Sequence, residues 1–442
     1  MSSEDKKSIF IETLGCPKNQ VDSDILAQSL VGSGWHIVDR AADANIVIVN
    51  TCGFIEDAKA ESIESIWEYI RAKQCGQIDS VVVTGCLAER YPSVLEQEMP
   101  EIDLVFGNRN PKLIAEAILG GTAQKPRLSV PSNFLVDWYE HPLGTNGHYW
   151  AYLKVTEGCN NRCSYCAIPS IRGGLRSAPI ESLIAQARFY IESGIKEIIL
   201  VGQDTSAYGL DTGRSRFPEL LRRVSEIEGD FWIRILYTHP RNMTDEAIAA
   251  IVETPKVLPY IDMPIQHISD RLLARMERHV NSEQIREIVR KLKSGKPDIV
   301  LRTSVIVGFP GETQEDFEQL SAYLDEGHFI HGGVFAYSPE DGTPAVSFKD
   351  ELERDTIAER KMFIEMIFDR IRQETNSALQ NRVLEVLVEK EGSRSGVMWG
   401  RTRYDAPEID RTVRFRGSAK IGSFAQVMII KGSGFHLLGV QK

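Results

Sequence analysis

The sequence predicts an α/β protein in three parts: an N-terminal parallel-sheet α/β domain, a central partial (βα)6 barrel, and a small C-terminal OB-like β-barrel. Three observations predict it. Short β-branched runs alternate with longer amphipathic stretches from residue 8 to about 121, as parallel strands joined by helices do. The same alternation resumes over about 148–375. From 376 to 442 short strands follow one another with only Gly and polar turns between them, the pattern of a small barrel.

In the first domain Ile9–Leu14, Ile46–Asn50 and Val81–Thr84 read as strands, Leu104–Phe106 as a weaker fourth, and Glu56–Lys73 as an amphipathic helix. Residues 122–147 are rich in Pro, Gly, Ser and Asn and read as a linker. The central domain offers strands at Ala151–Thr156, Ile198–Val201, Trp232–Tyr237, Tyr260–Met263, Val300–Val307 and Gly333–Tyr337. Six βα units curl a sheet toward a barrel but fall short of the eight that close one. A long amphipathic stretch, Arg354–Gln380, ends this region. The last region reads as five strands: Val383–Glu389, Val397–Arg401, Thr412–Phe415, Gln426–Ile430 and Phe435–Val440.

Composition is that of a soluble enzyme: 442 residues, 42% hydrophobic, 26% charged. The first eight residues, Met-Ser-Ser-Glu-Asp-Lys-Lys-Ser, hold no apolar core, so no signal peptide is expected. No apolar run is long enough to span a bilayer, and the expected address is the cytoplasm with no membrane partner. A net charge of −11 works against general polyanion binding. The C-terminal region runs the other way, with eleven Lys or Arg against six Asp or Glu, a balance that on such a barrel points to RNA or simply to a mixed, solvated surface.

Seven cysteines in such a chain argue for metal or catalytic use over disulfides. Cys159-Asn-Asn-Arg-Cys163-Ser-Tyr-Cys166 follows the first central strand, at the sheet edge where α/β folds build active sites. Three thiolates can hold three irons of a 4Fe–4S cubane and leave the fourth open to a substrate. Structural zinc would need a fourth ligand that the segment lacks, and His148 lies upstream of the strand. Cys16, Cys52 and Cys86 are far apart in sequence, yet each directly follows a strand. In a parallel sheet they emerge on one edge, about 5 Å from strand to strand, and could hold a second cluster. The bland alternative is strand-end packing by small residues. Cys75 has no partner in either pattern and reads as a noncatalytic free thiol. Other strand ends offer Gly202-Gln203-Asp204-Thr205, Gln266 with His267, and Gly308-Phe309-Pro310-Gly311-Glu312 as walls of a ligand cleft, against the plainer reading of βα turn chemistry. His267 is as readily a structural histidine.

The cysteine spacing at 159, 163 and 166, with Tyr165 before the last, resembles the radical S-adenosylmethionine superfamily. That resemblance implies that S-adenosylmethionine binds the open iron and is cleaved to a deoxyadenosyl radical, a step no side chain performs alone. It also implies that Tyr165 lines the adenine pocket. Gly202, Gln203, Gln266 and Gly308 are the expected further contacts. Over the whole chain, Leu14-Gly-Cys-Pro-Lys-Asn19, Val21-Asp-Ser23, Asn50-Thr-Cys-Gly-Phe-Ile55, Gln203-Asp-Thr-Ser-Ala-Tyr-Gly209 and Asp405-Ala-Pro-Glu-Ile-Asp410 resemble the RimO family of methylthiotransferases. The resemblance implies a C-terminal barrel of the TRAM type, two 4Fe–4S clusters, and S-adenosylmethionine as both methyl donor and radical source. It implies a target, the β-carbon of an aspartate in small-subunit ribosomal protein twelve, and a need for an electron donor and a sulfur source. The acidic turn Asp405–Asp410 is expected to face that basic substrate. A tRNA adenosine methylthiotransferase of the MiaB type is the nearest alternative; a noncatalytic iron–sulfur carrier is the alternative from another class.

Overall fold

The computed structural model describes residues 8–108, 111–119 and 147–442; the linker expected over 122–147 lies outside them up to residue 146. In chain order the first domain is β1 (Ser8–Thr13), α1 (Pro17–Val31), β2 (His36–Ile37), β3 (Ile46–Thr51), α2 (Glu56–Gln74), β4 (Ser80–Gly85), α3 (Cys86–Arg90), α4 (Pro92–Glu98), β5 (Leu104–Val105) and α5 (Pro111–Leu119). The sheet order is β2-β1-β3-β4-β5, parallel throughout. Alternate residues of each strand point to opposite faces. Both faces are covered: Val47, Val49, Val81 and Val83 join one core, and Ile9, Ile48 and Val82 the other. That is why these strands read as unbroken β-branched runs. Thr13 pairs with Asn50, and Asn50 with Thr84, so three strands end flush.

The central domain is β6 (Trp150–Lys154), β7 (Thr156–Glu157), α6 (Ile168–Arg172), β8 (Arg176–Ser177), α7 (Ile180–Glu192), β9 (Glu197–Val201), α8 (Phe217–Ser225), β10 (Trp232–Ile235), α9 (Asp245–Glu253), β11 (Val257–Asp262), α10 (Asp270–Arg275), α11 (Ser282–Gly295), β12 (Val300–Val307), α12 (Gln314–Asp325), β13 (His331–Ala336) and α13 (Arg354–Ala378). Six parallel strands lie in sequence order from β6 to β13, the open sheet expected of six βα units. One difference matters for the site. The strand expected over Ala151–Thr156 breaks at Val155. Thr156 and Glu157 leave the sheet and pair antiparallel with Ser177 and Arg176, closing a clamp across the base of the Cys159–Cys166 loop.

The last domain is a closed barrel of β14 (Val383–Glu391), β15 (Val397–Thr402), β16 (Thr412–Arg416), β17 (Phe424–Ser433) and β18 (His436–Gln441), in the order β14-β15-β16-β18-β17. α13 runs into it: Asn376 is buried and accepts a hydrogen bond from Arg411.

The three parts pack as one body. Val21 and Ile25 of α1 join the central core beside β6, and Leu387 and Ala406 join it from the C-terminal domain. Phe368 of α13 lies over Gly332 of β13. Glu197 is fully buried between Arg234 (2.5 Å) and Arg401 (2.6 Å). The acidic turn needs correction. Asp405 is wholly buried against Arg411 (2.7 Å) and His331 (3.4 Å), and Asp410 accepts from the Tyr260 hydroxyl at 2.6 Å. The Asp405 and Asp410 carboxylates therefore hold the domain joint and do not face a basic partner; of the turn, Glu408 and Ile409 are exposed. No helix of the described residues is long and apolar enough to cross a membrane.

Candidate active site

Cys16 is the residue before α1, where the backbone N–H groups of Asn19 and Gln20 reach its carbonyl. Cys52 follows β3, and Ser62 ties its N–H and C=O from α2. Cys86 opens α3 directly after β4. The turns fit only because glycines stand beside the cysteines. Gly15 and Gly85 adopt φ of 91° and 95°, a region L-residues avoid. A Cβ on Gly15 would sit 2.7 Å from the Cβ of Cys52, and one on Gly53 2.7 Å from the Leu87 backbone. The thiols feel one another electrostatically. Burial, then the neighbouring Cys86 and Cys16, pushes Cys52 up to about 12. Burial also raises Cys86, against the pull of Arg172. At Cys16 burial is outweighed by Lys18, Arg172 and local N–H donors, which hold the thiol below its ordinary range.

The second triplet sits in the loop between β7 and α6. The N–H of Asn161 points at the Cys159 sulfur (3.5 Å), Arg278 donates to Cys163 (3.5 Å), and His239 lies 4.0 Å from the same sulfur. Burial and the nearby Asp204 push Cys159 up to about 12. Burial and Cys163 raise Cys166. Asp204 is in turn held by Asn161 and Asn242, both at 2.7 Å.

Each triplet offers three thiols with N–H donors aimed at sulfur, and that donor set fits a cubane with one open iron. Among the described residues no three His, Cys, Asp or Glu side chains close on a single ion; a cubane takes each thiolate on its own iron.

A buried ion cluster joins the two triplets. Arg172, six residues past Cys166, donates to Asn19 (2.6 Å), Asp22 (2.9 Å), Glu157 (3.1 Å) and the sulfur of Cys86 (3.5 Å). Lys154 pairs with Asp22 at 2.8 Å and with Glu157. Other buried polar atoms make no hydrogen bond among the described residues. Gln203 Oε1, Asp262 Oδ1 and Arg302 Nε are among them, although Arg302 stands 3.7 Å from Asp262 and 3.6 Å from Asp410. The Lys18 ammonium sits 3.3 Å from the Tyr237 ring centroid. Burial, then Glu408, raises the Tyr152 hydroxyl, and burial, then Cys16, raises that of Tyr237.

The other sequence-stated candidates fall as follows. Tyr165 accepts from Arg278 at 3.3 Å and meets Phe309 edge-on at 6.5 Å. Gln203 donates to Glu157 at 3.0 Å. Gly202 has no room for a side chain against Thr156. Gln266, at φ 69°, bridges to Val305 of β12 through its backbone. Gly308, at φ 74°, lies under Ile357 of α13, and its N–H reaches Glu312 at 2.6 Å. His267 is a satisfied structural residue: its Nδ1 accepts from Ser269 and its Nε2 faces Glu312 at 3.3 Å. Cys75 is exposed and free, and His148 stacks on Trp150. Sequence reasoning assigned no role to Lys18, Asp22, Glu157, Arg172, His239 or Arg278. The signal for Arg172 was present, a lone cation in the short Ile-Pro-Ser-Ile-Arg helix beside the cysteine loop.

Comparison with known proteins covers all three parts. Residues 153–324 match the radical SAM superfamily, residues 8–107 match uncharacterized protein family UPF0004, and residues 382–441 match the TRAM domain. The chain is 43% identical over 438 residues to the ribosomal protein uS12 methylthiotransferase RimO of Desulforamulus reducens, covering 98% of this chain and 99% of that one. It is 40% identical to the proteins of the same name from Thermotoga maritima (98% and 99% covered) and Geobacter sulfurreducens (99% of each). Among solved structures it resembles the radical S-adenosylmethionine methyltransferase TsrM of Kitasatospora setae, with a TM-score of 0.55, 14% identity, and 83% and 89% of the chains covered. The cobalamin-dependent radical enzyme OxsB aligns at a TM-score of 0.53 and 12% identity over 82% and 56%. These two likenesses concern the fold.

Proposed function

The chain belongs to the RimO family of ribosomal protein uS12 methylthiotransferases, and from that membership we propose how its residues divide the reaction. It is a radical S-adenosylmethionine enzyme that methylthiolates ribosomal protein uS12; the target atom is the β-carbon of an aspartate. Cys159, Cys163 and Cys166 hold one 4Fe–4S cluster, and Cys16, Cys52 and Cys86 hold a second. When bound, the clusters supply one-electron cleavage of S-adenosylmethionine and a carrier for the sulfur to be transferred.

The chain's own residues do the rest. Tyr165, Gly202, Gln203, Gln266 and Gly308 shape the S-adenosylmethionine site. Arg278 and the Asn161 N–H stabilise thiolate charge at the first triplet, and Arg172 does so at Cys86. Arg172 also fixes α6 against Asn19 and Asp22, so the two triplets keep one relative position. An electron donor and a sulfur source act from outside the chain, in the cytoplasm. The observation that carries the reading is the ion cluster around Arg172, which ties a sulfur of the N-terminal triplet to the helix that follows the radical loop.

The test is anaerobic iron–sulfur reconstitution followed by incubation with uS12, S-adenosylmethionine and a reductant. Wild type should yield deoxyadenosine and the mass increment of one methylthio group. Cys16→Ala should retain deoxyadenosine formation, lose the mass increment and bind about half the iron, the share of one cubane in two. A Cys16→Ala enzyme that still methylthiolates uS12 would falsify the N-terminal assignment.

A further inference from the structure

Lys18 is one of two lysines buried among the described residues. The other, Lys154, is fully paired with Asp22 and Glu157. Lys18 is only 7% exposed, yet among the described residues no carboxylate lies within ion-pair distance of its ammonium. The ammonium rests 3.3 Å from the centroid of the Tyr237 ring. Burying an ammonium without an anion is costly, and a cation–π contact recovers only part of that cost. The charge is thus set up for an anion that comes from elsewhere.

Its surroundings fit such a guest. Lys18 is in the first turn of α1, whose positive end adds to its own charge. Cys16 is two residues back and within its electrostatic reach. The hydroxyls of Tyr152 and Tyr237 make no hydrogen bond among the described residues, and both fall within the electrostatic reach of Cys16. Asp262 is the carboxylate that feels Lys18 from within the protein. It is 3.7 Å from Arg302. Arg302 also faces Asp410 at 3.6 Å, so Asp262 and Asp410 are both engaged with Arg302, and neither comes within ion-pair distance of the Lys18 ammonium.

We propose that Lys18 binds the carboxylate of the substrate aspartate and so presents the adjoining carbon to the sulfur carried beside Cys16. The inference rests on the reading of the N-terminal triplet given above. In aspartate the β-carbon is bonded directly to the carboxyl carbon, so anchoring the carboxylate fixes the carbon one bond away. An asparagine in its place has the same shape but no charge for Lys18 to pair with. Lys18 is then a specificity-determining residue. Tuning of the Cys16 sulfur alone would not distinguish the acid from the amide.

The experiment measures binding of uS12, and of uS12 with its target aspartate replaced by asparagine, to the reconstituted anaerobic enzyme. Wild type should favour the aspartate form by about tenfold, the scale of one charge-assisted hydrogen bond. Lys18→Met should erase the preference by weakening the aspartate form alone, and Lys18→Arg should restore most of it. Lys18→Gln carries the same expectation if Lys18→Met does not fold. A preference that survives in Lys18→Met or Lys18→Gln, or that is missing from wild type, overturns the proposal. The methylthio product made by wild type is scored separately. Its absence would sink the functional reading itself, whereas product formation with an unaltered preference would sink only the role of Lys18.

Discussion

Arg172 and Lys154 together neutralise Asp22 and Glu157 in a buried cluster, two cations against two carboxylates. Burial works to raise Glu157, but Lys154 and Arg172 outweigh it and hold the carboxyl below the usual carboxylate range. Removing one member leaves a buried charge unmatched, which is the expensive way to break such a set. Arg172→Met should therefore cost about 3–5 kcal/mol in chemical denaturation. Arg172→Lys should recover part of that, since a point charge replaces a planar fork. At this scale the sequence was legible for some residues and silent for others. The cysteines at 159, 163 and 166 declare themselves by spacing, and those at 16, 52 and 86 by their place after strands. Arg172 meets Cys86, Asp22 and Asn19 across 86, 150 and 153 positions, and Lys18 meets Tyr237 in another domain. Such pairings depend on how two domains dock, which no local pattern encodes.

Among the elements, the turns that follow β1, β3 and β4 are the exacting ones. Their backbones approach so closely that Gly15 has the side chain of Cys52 where its own would be. Gly15→Ala should add about 1–3 kcal/mol of backbone strain and wedge Cys16 from Cys52. The expected readouts are a lower melting temperature and a reconstituted iron content falling toward that of Cys16→Ala; full iron loading would show that the turn tolerates the methyl group. The long β-branched strands were plain in the sequence because both faces of their sheets are covered. β2 was not, being two exposed residues, His36 and Ile37. The break at Val155 was hidden because Thr156 keeps strand geometry while changing partners. The turn Asp405–Asp410 was misread because acidic residues are usually exposed. Here Arg411 from its own domain and His331 and Tyr260 from the barrel supply the partners that permit burial.

For the whole molecule, the C-terminal barrel is held by buried carboxylates, and this gives its docking a pH dependence. Burial opposes ionisation at Glu197, but Arg234 and Arg401 outweigh it and lower its pKa. At Asp405, Arg411 and His331 do the same. Because both folded pKa values lie below the unfolded ones, this stabilisation is fully present above about pH 4. It is lost as the pH falls from there toward the folded values. Small-angle scattering should find the molecule compact at neutral pH and extended at about pH 3, with protease cleavage appearing near Leu379–Arg382. A chain that stays compact in acid would mean that the apolar contacts, such as Trp232 on Phe424 at 4.7 Å, suffice by themselves. The packing of α1 beside β6 and of α13 over β13 has a consequence of its own. A sheet that does not close leaves two outer strands whose unpaired N–H and C=O groups invite strand addition by other chains. In this molecule the β6 flank is buried throughout beside a helix of the first domain, whereas Gly332, Phe335 and Ala336 of β13 stay exposed. The open sheet is thus guarded against strand addition on its β6 side, and β13 is the side on which a further chain could add.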